Sequence, residues 1–256
     1  MTERLGRSNM QGEVRNAQGE RLDYTYHEAG PESGDSQETG PLVIIGHGVT
    51  GNKDRPFVVA LAEGLAAAGV DTLRLSFSGN GESEGRFEDS TISKEVDDLG
   101  AMLDAVEDRS VCFIGHSMGG AVGVIRASQD SRIRWLVSLA GMVHTRAFAA
   151  REFSDVTPGV GCMWEEPSCP LSQTYMDNMN RIDSVADLGS KISVPWLLVH
   201  GTEDDVVPPQ DADDIRQRAG SHVETIRLEG ADHVFSDDPA QMVALVVAWV
   251  RSQTQG

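Results

Sequence analysis

Short apolar segments alternate along the chain with amphipathic segments and with polar, glycine-rich connections. The apolar segments have the length of buried strands, and they predict strands at 42–45, 70–77, 111–115, 133–139, 195–200 and 222–228. Segments with apolar residues three or four apart predict helices at 56–68, 90–107, 211–219 and 239–252. Strands that alternate with helices form a mostly parallel sheet covered on both faces, so the pattern predicts an α/β fold.

Two segments depart from this alternation. Residues 11–28 hold two strand-like stretches around a turn-rich connection and predict a hairpin. Residues 142–181, called the cap below, contain three prolines and two glycines and predict a largely irregular insertion. Because long insertions are usually functional, we expect the cap to fold over a site on a single domain spanning residues 1–256.

Composition narrows the classes of partner. The chain has 256 residues, 40 of them acidic and 21 basic, for a formal charge of -19. A surface this negative repels phosphate backbones, so we expect no nucleic-acid partner. The absence of an 18-residue apolar run predicts no membrane span, and residues 1–15 lack the apolar core of a secretion signal. We therefore expect a cytoplasmic protein, either a monomer or a homodimer.

The three cysteines predict neither a metal site nor a cofactor site. Cys112 falls inside a predicted strand and is expected in the core. Cys162 and Cys169 lie close together in the cap, where a disulfide remains an alternative to the two free thiols expected in a reducing compartment. Neither their spacing nor the neighbouring residues fit a zinc site.

The stretch 111–121, VCFIGHSMGGA, carries the strongest chemical signal. It is a G-x-S-x-G motif between a predicted strand and a helix of small residues, the context of a nucleophile elbow with Ser117 at its apex. A second G-x-S-x-G, at 81–85, is followed by polar, loop-like residues and has carboxylates on both sides of Ser83. We therefore expect Ser117 to be the nucleophile and Ser83 to be a loop residue.

A serine nucleophile needs a basic imidazole and an acid that orients it. Functional groups of open α/β sheets collect beyond the carboxyl ends of the strands, and Asp204 and His233 follow two later predicted strands. The order Ser117, Asp204, His233 is the order expected of a nucleophile-elbow hydrolase. Asp232, beside His233, is the alternative acid or a solvated turn residue.

The motifs around these residues resemble those of the α/β-hydrolases. Residues 201–208 match G-x-x-D-x-x-V-P and residues 230–235 match G-x-x-H-x-F, which are the acid and base motifs of that family. The resemblance covers nearly all of the chain. It implies an α/β-hydrolase fold with a mostly parallel eight-stranded sheet, helices on both faces and a small cap insertion, and it selects Asp204 as the acid.

Within that family, residues 47–53 and 74–89 resemble the feruloyl (cinnamoyl) esterases and related small carboxylesterases. Ser76 and Asn80 stand where those proteins usually have Asp and His. The resemblance implies a cofactor-independent serine hydrolase that acts on a small-molecule carboxylic ester. An oxyanion hole needs two N–H donors, for which we expect the amide of Met118, after the nucleophile, and by resemblance the amide of Val49.

The cap supplies tentative pocket residues. Trp164 and His144 are candidates for its wall, and Glu165 and Glu166 are either solvated charges or an anchor for a substrate ammonium group. An ammonium anchor would favour an aminopeptidase or amidase on the same triad, and a non-catalytic ligand-binding protein is a third hypothesis. His47, His116 and His200 are expected to be structural.

Overall fold

A computed structural model of the chain describes residues 12–30, 40–106, 109–237 and 239–254. Most of the stretch 1–15, for which no secretion signal is expected, lies outside these ranges, as does Glu107, the predicted end of the second helix. The strands are β1 (Val14–Arg15), β2 (Arg21–His27), β3 (Leu42–Gly46), β4 (Asp71–Ser76), β5 (Val111–His116), β6 (Ile133–Leu139), β7 (Trp196–Gly201) and β8 (Val223–Leu228). The α-helices are α1 (Pro56–Ala67), α2 (Ile92–Ala105), α3 (Met118–Ala127), α4 (Thr145–Phe153), α5 (Gln173–Ile182), α6 (Gln210–Ala219) and α7 (Pro239–Thr254).

The described strands form one sheet in the order β1-β2-β4-β3-β5-β6-β7-β8. Strand β2 is antiparallel to β1 and β4, and the remaining pairs are parallel. The predicted eight-stranded, mostly parallel sheet is therefore confirmed. Parallel pairing places the ends of β3, β5, β7 and β8 at one rim, where their following loops meet.

The core lies on both faces of this sheet. Strand β3 shows why: it is buried throughout, with Leu42 and Ile44 in one apolar cluster and Val43 and Ile45 in the other. Side chains alternate between faces along a strand, so a continuous apolar run requires cover on both sides. Helices α1 and α7 cover one face, whereas α2, α3, α5 and α6 contribute to the cluster on the other.

Helix α2 begins one residue later than the expected Ser90 cap. Thr91 has extended backbone angles, and its hydroxyl accepts a hydrogen bond from the Lys94 amide at 3.2 Å, as a helix N-cap does. The Ser90 hydroxyl instead donates to the Ser78 carbonyl at 2.9 Å and so fastens the preceding loop.

The cap is more regular than its prolines and glycines predict. It contains α4, α5 and a short 3-10 helix at Met163–Glu165, because Phe148, Phe153, Tyr175 and Met179 bury their side chains in the main cluster. The chain segments that enter and leave the cap meet where the Val185 amide donates to the Val143 carbonyl at 2.9 Å.

The cysteines are as expected from the sequence. Cys112 is buried in β5, and Cys162 and Cys169 are free thiols. Within the described ranges, no helix is both long and apolar enough to cross a membrane. That part of the chain also contains no group of three or more metal-ligating side chains.

Candidate active site

Ser117 occupies a strained turn between β5 and α3. Its backbone has φ 53° and ψ -119°, an unfavourable region for a residue with a side chain. Two backbone hydrogen bonds hold the turn. The Ser117 amide donates to the Leu139 carbonyl at 3.0 Å, and the Met142 amide donates to the Ser117 carbonyl at 2.9 Å. A β-carbon at Gly115 would lie 2.1 Å from the Gly119 carbonyl oxygen, so this elbow requires glycine where the motif has it.

The loops after β7 and β8 bring Asp204 and His233 together. Nδ1 of His233 lies 2.9 Å from Oδ2 of Asp204. The other carboxylate oxygen, Oδ1, accepts the amides of Val206 and Val207 at 3.0 and 2.8 Å. Since Nδ1 faces the carboxylate, it carries the proton, and Nε2 of His233 is left as the basic nitrogen.

A second imidazole contacts the same carboxylate. Nε2 of His200 lies 3.1 Å from Oδ2 of Asp204 and 2.9 Å from the Val207 carbonyl, so this nitrogen is a donor. Burial alone would raise the pKa of Asp204, but the hydrogen bonds from His200, His233 and the Val207 amide hold it well below its usual range. His200 was expected only to be structural, although its place four residues before Asp204 was a signal for this contact.

Ser117 and His233 line one cavity of about 280 Å³, called the Ser117 cavity below. Within the described chain, no hydrogen bond joins the Ser117 hydroxyl to the His233 imidazole. Catalytic hydrogen bonds are often long in unliganded enzymes and tighten when substrate binds. The arrangement thus brings the three sequence-predicted residues to one place, with the acid–base pair already formed.

The two expected oxyanion donors are free and adjacent to Ser117. A β-carbon at Gly48 would lie 2.6 Å from the Ser117 β-carbon, so the loop that carries Val49 rests against the serine. In the described part of the chain, neither the Val49 amide nor the Met118 amide donates a hydrogen bond. Both donors are therefore available to a ligand oxygen.

His47 braces this loop. Its Nδ1 donates to the Gly48 carbonyl at 2.9 Å, and its Nε2 accepts the Phe77 amide at 3.0 Å. Burial lowers the pKa of His47 to about 4, so the ring is neutral near pH 7. Both ring nitrogens are already engaged in fixing the backbone, which leaves none for proton transfer.

His116 supports His233. Its Nε2 donates to the His233 carbonyl at 2.9 Å, and the two rings lie 4.7 Å apart. Burial, reinforced by the neighbouring His233, lowers the pKa of His116 to about 3. His116 is thus a neutral ring that positions the backbone and one face of His233.

Only one of the four tentative pocket residues lines the Ser117 cavity. Trp164 does so, but His144 does not, because its Nε2 lies 2.9 Å from Oδ2 of Asp214 on α6. Glu165 and Glu166 are exposed and lie outside the lining. Trp164 and Glu165 have φ values of 47° and 60°, and this turn separates the indole from the two carboxylates that follow.

Several lining residues were missed by the sequence analysis. They come from the loop before α1, from α1 and from the acid and base loops: Arg55, Phe57, Val206 and Val234. Nothing in the local sequence distinguishes them from ordinary surface or helix residues, because they become neighbours only through the sheet order.

The competing serine and acid have other partners. The Ser83 hydroxyl donates to the Ser76 carbonyl and accepts the Asp23 amide, both at 2.7 Å, so it ties a loop to β2. Oδ1 of Asp232 accepts the amides of Val234 and Ser236, and within the described chain it makes no bond to His233. Asp232 therefore stabilises the turn.

The class of protein follows from this fold and from sequence comparison. Residues 41–159 match the sequence model of the alpha/beta hydrolase fold family. The chain has the α/β-hydrolase fold.

Among solved structures, the chain is similar to Est1E from Butyrivibrio proteoclasticus with bound ferulic acid. The TM-score is 0.81 at 24% identity, covering 95% of this chain and 99% of that one. An esterase domain from a Rhodothermus marinus protein aligns with a TM-score of 0.72 at 22% identity, over 94% of this chain and 97% of that one. These likenesses show the fold.

Among curated proteins, the chain is 25% identical over 209 residues to palmitoyl-protein thioesterase ABHD10, mitochondrial, from Bos taurus. That match covers 75% of this chain and 67% of the relative. The human protein of the same name is 25% identical over 188 residues, which is 68% of this chain and 61% of the relative. The chain thus spans about two thirds of the length of these curated relatives.

Proposed function

We propose that the protein is a serine hydrolase that cleaves small carboxylic esters through an acyl-enzyme intermediate. The observation that carries the proposal is that Ser117, on its strained elbow, and His233, bound to Asp204, line the same cavity. The free amides of Val49 and Met118 beside the serine supply donors for the developing oxyanion.

Each group has a role in the proposed reaction. Nε2 of His233 takes the proton from the Ser117 hydroxyl as Oγ attacks the ester carbonyl, and the leaving alcohol then receives that proton. Water attacks the acyl-enzyme, again giving its proton to His233, and the carboxylic acid leaves as Oγ is reprotonated. Asp204 holds the imidazole in the required tautomer and stabilises it when charged.

Hydrolysis of p-nitrophenyl esters of increasing acyl length tests the proposal. We expect Ser117→Ala to lower kcat by roughly 10⁶ on any ester that the wild type cleaves. Ser83→Ala is the matched control, since it removes the hydroxyl of the other G-x-S-x-G motif and should retain turnover per folded molecule. Full turnover by Ser117→Ala would refute the assignment.

Thioester cleavage is the second candidate, because the curated relatives at 25% identity are named palmitoyl-protein thioesterases. The same nucleophile and oxyanion donors serve both reactions, so oxygen esters and thioesters of one acyl chain should be compared directly. The aminopeptidase alternative loses its support, because Glu165 and Glu166 lie outside the cavity.

A non-catalytic binding role makes a different prediction for Ser117. A fluorophosphonate probe reacts with an activated serine and forms a covalent adduct. We expect labelling of wild type and of Ser83→Ala, and none of Ser117→Ala. Absence of labelling in wild type would favour ligand binding over hydrolysis.

A further inference from the structure

The Ser117 cavity has an unusual charge for this protein. The chain carries 40 acidic and 21 basic residues, yet none of the described residues that line the cavity carries a carboxylate. The lining instead includes Arg55, and burial keeps His47 and His116 neutral near pH 7 by lowering the pKa of each. A substrate entering the cavity thus meets a cationic side chain on an otherwise acidic molecule.

Arg55 has hydrogen-bonding capacity left over. Its Nη2 donates to the Thr50 carbonyl at 3.0 Å, and within the described residues it forms no ion pair. The neighbouring Asp54 is occupied elsewhere, since it pairs with Lys53 at 2.9 Å and with Arg74 at 2.7 Å. Arg55 is exposed and belongs to the cavity lining, so its remaining N–H groups are open to solvent.

The surroundings of Arg55 suit an elongated anion. The residue directly precedes α1, whose N-terminal dipole end adds positive potential, and Phe57 on that helix lines the same cavity. Trp164 lies in the lining as well, contributed by the cap. Apolar surfaces near the reacting serine with one cation in the same cavity match a short hydrocarbon chain that ends in an acid.

We propose that Arg55 selects esters that carry a second, free carboxylate, such as half esters of short dicarboxylic acids. This substrate class rests on the proposed ester hydrolysis at Ser117. A guanidinium presents a planar pair of donors that matches a carboxylate, and hydrogen bonds to charged groups are stronger than neutral ones. A neutral ester chain of the same length makes no such hydrogen bond, so the Arg55 guanidinium stays hydrated when that ester binds.

The kinetic test compares matched substrates and matched variants. Each half ester in the series p-nitrophenyl hydrogen succinate, glutarate and adipate is paired with a neutral p-nitrophenyl alkanoate of similar length. We expect Arg55→Gln to lower kcat/KM on the best half ester about tenfold, and on its neutral partner less than twofold. Arg55→Lys should retain part of the preference. Arg86→Gln, which removes an exposed cation away from the cavity, should leave both substrates unchanged.

Equal losses on both substrates in Arg55→Gln would overturn the proposal, because they would show that Arg55 acts only by holding the Thr50 loop. The proposal would also be overturned if the preference for half esters over neutral esters were the same in wild type and in Arg55→Gln.

A binding measurement separates this inference from the proposed function. Calorimetry on Ser117→Ala with N-butyl glutaramate and with its methyl ester needs no turnover. Tighter binding of the acid, lost in Ser117→Ala/Arg55→Gln, supports the anion site even if no ester is cleaved. Equal binding of both compounds contradicts it even if wild type is an active esterase.

Discussion

At the scale of single residues, Asp204 is the most constrained group of the site. Its two oxygens accept hydrogen bonds from the imidazoles of His233 and His200 and from the backbone amides of Val206 and Val207. Four donors around one buried carboxylate keep it ionised and fix its direction. His233 therefore has little freedom to rotate away from the orientation that directs Nε2 to the substrate side.

Replacing Asp204 by Asn tests this role. The side chain keeps its shape, but an amide in this position favours the wrong tautomer of His233, so we expect kcat on an ester substrate to fall about 10⁴-fold. Asp205→Asn, an exposed neighbour, is the control and should stay within about threefold of wild type. If Asp232→Asn caused the large loss and Asp204→Asn did not, the acid would have been misassigned.

The site residues differ in how far the sequence alone could reveal them. Ser117, Asp204 and His233 sit in motifs whose glycines and flanking strands are readable from the sequence. The second imidazole on Asp204 and the cavity position of Arg55 were missed, because both depend on how separate loops pack. His144, one of the candidates for the pocket wall, lies outside the cavity lining and pairs with Asp214, a contact between the cap and α6 that the local sequence does not display.

At the scale of elements, the cap is joined to the body next to the acid loop. Arg151 on α4 donates to the Val206 carbonyl, two residues after Asp204. The Trp164 indole donates to Glu152 at 3.1 Å and packs edge-on against Phe153 with ring centroids 5.0 Å apart. The cap wall of the cavity is therefore a braced aromatic cluster rather than a free loop.

Truncating that wall should affect binding more than chemistry. We expect Trp164→Ala to raise KM for aryl or medium-chain acyl esters about tenfold, a loss of about 1.4 kcal/mol, with kcat changed less than threefold. Val160→Ala removes an apolar side chain that is 82% exposed on the same segment and should leave KM unchanged. A fall in kcat with constant KM would show instead that Trp164 acts on the transition state.

Regular elements were predicted well where their apolar pattern was continuous. Strand β6 has the predicted bounds, and helix α6 starts within one residue of its predicted start. Helices α4 and α5 were missed because Pro158, Pro167 and Pro170 lie between them and led to an irregular prediction for most of the segment. The apolar residues of each helix recur at helical spacing, as Phe148, Ala149 and Phe153 do in α4, but both helices are short.

At the scale of the whole molecule, stability should depend on pH through a buried acid on α2. Glu95 is 1% exposed, and its Oε2 has no hydrogen-bond partner within the described structure. Burial, and then the nearby Asp98 carboxylate, raise the pKa of Glu95 well above its ordinary 4.5. The folded protein keeps this proton at pH values where the unfolded chain has already lost it.

Linkage gives the sign of the effect. Glu95 contributes its full amount to the free energy of unfolding below pH 4.5. This contribution is lost as pH rises toward the folded-state pKa, at up to about 1.4 kcal/mol per pH unit. Urea unfolding should therefore show that Glu95→Gln gains free energy of unfolding over wild type as pH is raised from 5 to 8. Glu63→Gln, at an exposed position on α1, should show no such trend. A difference between Glu95→Gln and wild type that is constant across this range would contradict the prediction.

The contact between Val143 and Val185 bears on how the cap could be engineered. One backbone hydrogen bond joins the segment that enters the cap to the segment that leaves it. The two ends of the intervening chain are therefore held at a fixed distance from each other. Strands β6 and β7, which precede and follow the cap in the chain, pair in parallel. A grafted cap would therefore have to refill the core positions of Phe148, Phe153 and Tyr175 before it could change selectivity through the cavity wall at Trp164.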